Sequence, residues 1–149
     1  MIRKARIQDV EQIQKLINTF AKQDLMLPRS LNELYENLRD YWVAEENNRI
    51  VGCCALHVSW LDLAEIKSLA VAKNKQNKGL GTNLVNACLN EAKSLGAKRI
   101  FVLTYRTDFF KNFSFKKTKH ENLPHKIWAE CIKCCKFPNC EEVAMVRQL

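Results

Sequence analysis

Glycine and proline are scarce in this chain, at four and three among 149 residues. With hydrophobic residues at 47%, that scarcity excludes a disordered, collagenous or low-complexity protein. No apolar run approaches the ~18 residues that span a bilayer. No charged segment followed by an apolar stretch opens the sequence, so secretion is not expected. Acidic residues are the poorer charge, 16 against 24 lysines and arginines, and the resulting +8 points to an anionic partner: nucleic acid, a membrane surface or a phosphorylated cofactor. Cysteine is not scarce, but seven is an odd number, which speaks against a complete disulfide framework and for a reducing cytoplasm. No internal repeat or linker interrupts the chain, and its length suits one domain, residues 1–149, with a single core.

Periodicity supplies the element order. A short strand is expected over Met1–Lys4, followed by an amphipathic helix on Val10, Ile13, Leu16, Ile17 and Phe20 with Asp9 as its N-cap. Ser30 and Glu33 form a Ser-x-x-Glu capping box for a second helix carrying Leu31, Leu34 and Leu38. Three strands then follow, at Trp42–Glu45, Ile50–Trp60 and Ala64–Ala72; the first two read as a hairpin around Glu46-Asn47-Asn48-Arg49. Gly79 to Leu95 keeps helical spacing, and Gly96 stands where a left-handed C′ residue is wanted. A buried strand at Arg99–Thr104, a short helix at Asp108–Phe113 and a strand at Val143–Arg147 complete a mixed α/β (α+β) layer fold, one sheet packed by helices.

The segment Gln76-Asn77-Lys78-Gly79-Leu80-Gly81-Thr82 joins a strand to the best-defined helix. Glycines let a ligand approach the backbone, and the unpaired first-turn N–H groups, aided by the helix dipole, bind anionic oxygens. It is neither the Gly-x-x-x-x-Gly-Lys-Ser/Thr loop of nucleoside triphosphate sites nor a Gly-x-Gly-x-x-Gly dinucleotide turn. The plain alternative is a tight strand-to-helix turn.

In its setting, Ala64-Glu65-Ile66-Lys67-Ser68-Leu69-Ala70-Val71 before it and Phe109-Phe110-Lys111-Asn112-Phe113-Ser114-Phe115 beyond the next strand, the loop resembles the GNAT superfamily of acetyl-CoA-dependent N-acetyltransferases. The family's hallmark is a strand followed by Gln/Arg-x-x-Gly-x-Gly/Ala at a helix start. The likeness spans nearly the whole chain. Leu25-Met26-Leu27-Pro28-Arg29-Ser30, Leu103-Thr104-Tyr105, and Leu123-Pro124-His125-Lys126-Ile127-Trp128 with Cys131, Cys134, Phe137-Pro138 and Cys140 resemble, more narrowly, the short stand-alone bacterial N-acetylglutamate synthases of arginine biosynthesis. The resemblance implies a mostly antiparallel sheet, a loop from Gln76 to Thr82 that holds the CoA pyrophosphate, and Leu69, Ala70 and Val71 offering backbone to the pantetheine arm and thioester.

Acetyl transfer to an amine needs a neutral nucleophile, a donor aimed at the thioester carbonyl, and a proton for the departing thiolate. Glu65 stands where the family places a general base, and the backbone N–H of Leu69 or Ala70 would polarise the carbonyl. The family's usual acid, a tyrosine, falls at Phe110, which has no proton to give, and its usual glycine falls at Ser114. Tyr105, at the end of the Arg99–Thr104 strand, is the substitute, since strand C-terminal ends face the cleft in open α/β sheets. A glutamate acceptor brings two carboxylates, for which Arg29, Lys67 and Arg106 are the candidates; Lys67 and Glu65, two apart on a strand, should share a face. Lys73, Lys75 and Lys78 surround the phosphate loop. Each of these residues has a plainer reading as surface charge or packing. The partners expected are therefore acetyl-CoA and a small amino acid, with no nucleic acid and no membrane; a homodimer is left open. Glutamine, another amino acid, a protein N-terminus, or a non-catalytic acyl-CoA sensor are the alternatives.

Cys53, Cys54 and Cys88 fall in element interiors and are expected to pack as small apolar residues. Cys131, Cys134, Cys135 and Cys140, with His125 upstream, make a zinc site chemically feasible, but one Cys-x-x-Cys pair without a second is a weak signal and no metal is assigned. His57 and His120 lack partner spacing and read as structural.

Overall fold

The computed structural model describes residues 1–123 and 142–149. Among these, seven strands form one sheet: β1 (Ile2–Lys4), β2 (Tyr41–Glu46), β3 (Arg49–Trp60), β4 (Leu63–Val71), β5 (Arg99–Thr104), β6 (Lys116–Lys117) and β7 (Val143–Gln148). The helices are α1 (Val10–Ala21), α2 (Leu31–Glu36), α3 (Leu80–Ser94) and α4 (Thr107–Lys111). The strand order is β1-β2-β3-β4-β5-β7-β6, and every neighbouring pair is antiparallel except β4 and β5. The expected mixed sheet, mostly antiparallel and flanked by helices, is therefore present. No helix of the described residues is long and apolar enough to cross a membrane.

The even apolar texture of β3 has its cause in two covered faces. Cys54 and Leu56 join α3 residues Leu84, Val85 and Cys88 on one face, while Cys53 and Ala55 pack with Val10, Ile13 and Ile17 of α1 on the other. Cys53, Cys54 and Cys88 are fully buried, with 3.6 Å between the sulfurs of Cys54 and Cys88, so the three lie in the core as expected. Gly52 permits the close seat of α3: a Cβ there would lie 3.1 Å from Leu84 Cδ1. Asn47 and Asn48, both with positive φ, form the two-residue turn that links β2 and β3. Ser30 caps α2 by accepting from Glu33 N–H at 3.1 Å, and Gly96 takes φ of 88° just beyond α3.

Three details depart from the pattern read in the sequence. Asp9 does not cap α1 with its side chain; it lies in a 3-10 turn, Ile7–Asp9, where it accepts the Arg6 N–H and a bidentate Arg3 guanidinium at 2.7 and 3.0 Å. Leu38 is not on α2 but opens a separate 3-10 turn, Leu38–Asp40. The two-residue strand β6 pairs with β7 beside Met145 and Val146, a ladder too short for periodicity to mark.

The corner where β1 meets α1 and α3 is closed by opposite charges. Arg3 also reaches Glu45, while Lys4 pairs with Glu91 at 3.2 Å and stands 5.0 Å above the Trp42 ring, whose Nε1–H donates to the same Glu91. Burial would push the Asp9 carboxyl up, but the bonds from Arg3 and from the Arg6 backbone, with the charge of Arg3, outweigh it and hold Asp9 below the ordinary value.

Candidate active site

Strands β4 and β5 pair only from Leu63 opposite Arg99 to Ile66 opposite Val102. Beyond that point both continue, to Val71 and Thr104, without pairing, so the sheet opens into a wedge. A second irregularity sits on the other side of β4. Cys53 faces Ala70 and Ala55 faces Lys67, so between these pairs two residues of β4, Ser68 and Leu69, oppose one of β3, Cys54. The extra residue is accommodated at Ser68, a non-glycine with φ of 56°. Its hydroxyl receives the Tyr41 OH and Arg29 Nε, both at 3.3 Å, and Cys53 Sγ donates to its carbonyl. Burial pushes the Tyr41 phenol up to about 12 and the Cys53 thiol likewise to about 12, so both stay protonated as donors.

The wedge opens a cavity of about 740 Å³. Its floor is β4 from Glu65 to Val71, one wall is Val102 to Arg106 with Phe109 and Phe110, and the phosphate-loop turn closes one end. The α1–α2 segment, Phe20, Leu25, Met26, Leu27 and Arg29, overhangs the other side. The residues singled out in the sequence gather here: Glu65, Lys67, Leu69, Ala70, Val71, Gln76, Asn77, Gly79, Leu80, Gly81, Thr82, Tyr105, Arg106 and Arg29 all line it, whereas Lys78 is exposed outside it. Of the other two loop lysines, Lys73 and Lys75 line it, and Lys75 is engaged by Glu46 at 3.0 Å.

Glu65 is 8% exposed and Lys67 half-buried; they share a face because their partners His57 and Ala55 are two apart on β3. Arg29 Nη1 donates to Glu33 at 3.3 Å, and Lys67 and Arg106 make no ion pair among the described residues. Tyr105, 37% exposed, follows the last residue of β5, while Thr104 accepts the Arg106 N–H through its hydroxyl at 2.8 Å. Phe110 is buried and packs edge-on against Phe109 and Phe115, with centroids 5.1 and 5.4 Å away. It is a wall of the cavity. Ser114 adopts φ of 67°, the conformation a glycine accepts without strain.

The loop fits an anion. Gly79, with φ of 84°, is the N-cap of α3 and offers no side chain, so no side-chain cap bonds the first-turn amides. Those amides and the positive end of the helix dipole remain for a ligand at the cavity end. Gln76 ties the turn to β4 by donating from Nε2 to Val71 O at 2.9 Å. Sequence reasoning missed the apolar overhang of Phe20, Met26 and Leu27, the bulge at Ser68 and the Phe109 ring beside Gly81; only Ser68 left a trace, as a polar break in an apolar strand. His125 and the cysteines at 131, 134, 135 and 140 lie outside the described residues, and no cluster of metal-ligating side chains is present among the described ones.

A helix start with uncapped first-turn amides thus lies at the mouth of a splayed strand pair, with a buried carboxylate deeper in the trough. Residues 7–115 match the acetyltransferase (GNAT) family, and the chain belongs to it. It is an acetyl-CoA-dependent N-acetyltransferase. An uncharacterized N-acetyltransferase of Chlorobaculum tepidum is 38% identical over 99% of this chain and 96% of that protein. The amino-acid acetyltransferase of Mycobacterium tuberculosis is 39% identical over 83% of this chain and 71% of its own. The N-acetylglutamate synthase of Neisseria gonorrhoeae, solved with coenzyme A and N-acetyl-glutamate, superposes with a TM-score of 0.91 at 26% identity; all of this chain corresponds to 35% of that one.

Proposed function

We propose that this chain transfers the acetyl group of acetyl-CoA to the α-amino group of L-glutamate, opening arginine biosynthesis. The observation that carries this reading is the convergence of Arg29 and Lys67 on the cavity that also holds Glu65. Two cations suit an acceptor with two carboxylates, and the planar guanidinium of Arg29 can grip one of them with two parallel bonds. Its Nη2 makes no hydrogen bond among the described residues, and Ser68 steadies Nε. Arg106, at the end of β5, takes the second carboxylate with Lys67.

Glu65 removes a proton from the acceptor ammonium, directly or through water, so that the nitrogen lone pair can attack. The carbonyl meets a backbone donor from the splayed edge of β4. The Ala70 N–H turns towards Cys53, so the opposite edge presents that of Leu69. A donor fixed before the reaction stabilises the negative charge gathering on the carbonyl oxygen. The first-turn amides of α3 at Leu80, Gly81 and Thr82, with Gln76, Asn77 and the positive charge of Lys73 and Lys78, hold the pyrophosphate, and Val71 borders the pantetheine arm. Tyr105 protonates the departing thiolate, and the second proton lost by the acceptor nitrogen restores the phenol.

Thiol release from acetyl-CoA, measured across the amino acids, tests the acceptor. Glutamate should give the highest kcat/KM; release with another amine and none above background with glutamate overturns the reading. In the same assay Arg29→Ala should raise the KM for glutamate at least tenfold, about 1.4 kcal/mol, with that for acetyl-CoA within twofold. Equal effects on both would remove Arg29 from the acceptor site.

A further inference from the structure

The overall reaction is R–NH3⁺ + CH3CO–SCoA → R–NH–COCH3 + HSCoA + H⁺. Two protons leave the nitrogen in each turnover. One ends on the CoA sulfur, and the other must leave the protein. Glu65, only 8% exposed, lies on the floor of a cavity that the two substrates fill. A proton taken there needs a route to water that does not pass through the product.

The β3–β4 register sets His57 directly opposite Glu65, so the two side chains rise on the same face, with Cβ atoms about 5 Å apart. His57 does not line the cavity, and its side chain is 31% exposed, so the ring reaches solvent outside the cavity. Its Nδ1 stands 2.6 Å from Asp40 Oδ2, on the 3-10 turn that leads into β2. Donation of Nδ1–H to Asp40 fixes the tautomer, leaving the lone pair on Nε2, and the same carboxylate stabilises the ring once it is charged. The titratable groups beside His57 are Asp40 on the 3-10 turn and, on the same face of the strands paired with β3, Glu65 directly opposite and Tyr41 and Lys67 opposite Ala55.

We infer that His57, held by Asp40, is the proton outlet of Glu65. The inference rests on the reading of Glu65 as the base. After the acceptor has lost its proton, the Glu65 O–H bond breaks and, through an intervening water that gives up one proton as it takes another, an N–H bond forms at His57 Nε2, leaving a carboxylate and an imidazolium; bulk water or buffer then removes that proton, and both groups return to their starting state. His57 acts through Glu65 and touches neither substrate. It is a relay and positioning residue, and an imidazole suits the task because one ring nitrogen can accept a proton while the other donates one.

Steady-state kinetics of His57→Ala in dilute buffer test this. The kcat should fall about tenfold while kcat/KM for acetyl-CoA stays within twofold, and added imidazole should restore most of the lost kcat. A structural tether between the 3-10 turn and β3 would not respond to a small base in solution. A kcat equal to the parent's, or a loss that imidazole leaves untouched, overturns the outlet. If His57→Ala does not fold, His57→Gln takes its place with the same two readouts, and Asp40→Asn should give a smaller loss of the same kind. Glu65→Gln, assayed in parallel, separates the two readings. An inactive Glu65→Gln with a fully active His57→Ala removes the outlet and keeps the base, whereas a fully active Glu65→Gln removes the base whatever His57 does.

Discussion

Two regions of this molecule treat charge in opposite ways. At the corner of β1, α1 and α3, Arg3 and Lys4 are answered by Asp9, Glu45 and Glu91, and an indole N–H completes the set. At the cavity, Arg29 has one exposed carboxylate at 3.3 Å, Lys67 and Arg106 have no ion pair among the described residues, and the first-turn amides of α3 have no side-chain cap. The first arrangement minimises the free energy of the folded chain alone. The second leaves donors and cations oriented but unspent, so their interaction energy stays available to an anionic ligand. Charge that is matched internally builds the frame, and charge left open defines the site.

Substitutions in the two regions should therefore separate activity from stability. The largest effect is expected at Glu65: Glu65→Gln should lower kcat by about 10²–10⁴ while thermal unfolding moves little and CoA still shifts the melting temperature. A fall in stability as large as the fall in rate would make Glu65 part of the frame. Arg3→Ala should do the reverse. It strands Asp9 among buried neighbours, costing about 3 kcal/mol in denaturant unfolding, with kcat/KM of the folded fraction unchanged. Next in size is the acid response. Because Asp9 is held below its ordinary value, its contribution is complete above about pH 4 and is lost as the pH falls further, through its own folded value. Denaturant midpoints should drop there in the parent and much less in Arg3→Ala; equal slopes would deny the link between the two residues. The smallest effect is expected at Ser114, where Ser114→Gly relieves a left-handed serine and should add about 1 kcal/mol, read as a rise in melting temperature with unchanged kinetics.

Legibility follows the range of the forces involved. The α3 helix, its Gly79 start and its Gly96 end could be read because spacing and backbone sterics are local. The glycine loop could be located because strand, loop and helix follow one another in sequence, whereas Leu69, Ala70 and Val71 were reached through the family resemblance and Arg29, Tyr105 and Arg106 come from other segments. Asp9 stands at the N-cap position read in the sequence, but its side chain does not cap. Its chemistry suits an N-cap as well as an ion pair, and the choice was made by Arg3 across a strand and by the Arg6 backbone. The bulge at Ser68 was equally hidden, since its positive φ is imposed by Cys53, Tyr41 and Arg29, which come from three other segments. The pairing of His57 with Asp40 is of the same kind: they stand seventeen positions apart, and only the approach of the 3-10 turn to β3 brings them together.

The unfinished pairing of β4 and β5 has a consequence for solubility. An interior strand that stops bonding to its neighbour presents main-chain groups much as a sheet edge does, and such edges recruit strands of other chains. Here the two open lengths face each other inside a crevice roofed by the α1–α2 segment, so another molecule cannot reach them while the roof is seated. Warming that lifts the roof would expose a sticky edge in the middle of the sheet. A cofactor lying along it occupies those groups, and at a hundred times its dissociation constant would hold the native state by about 2.7 kcal/mol. Light scattering on heating should therefore begin at a higher temperature when CoA is present.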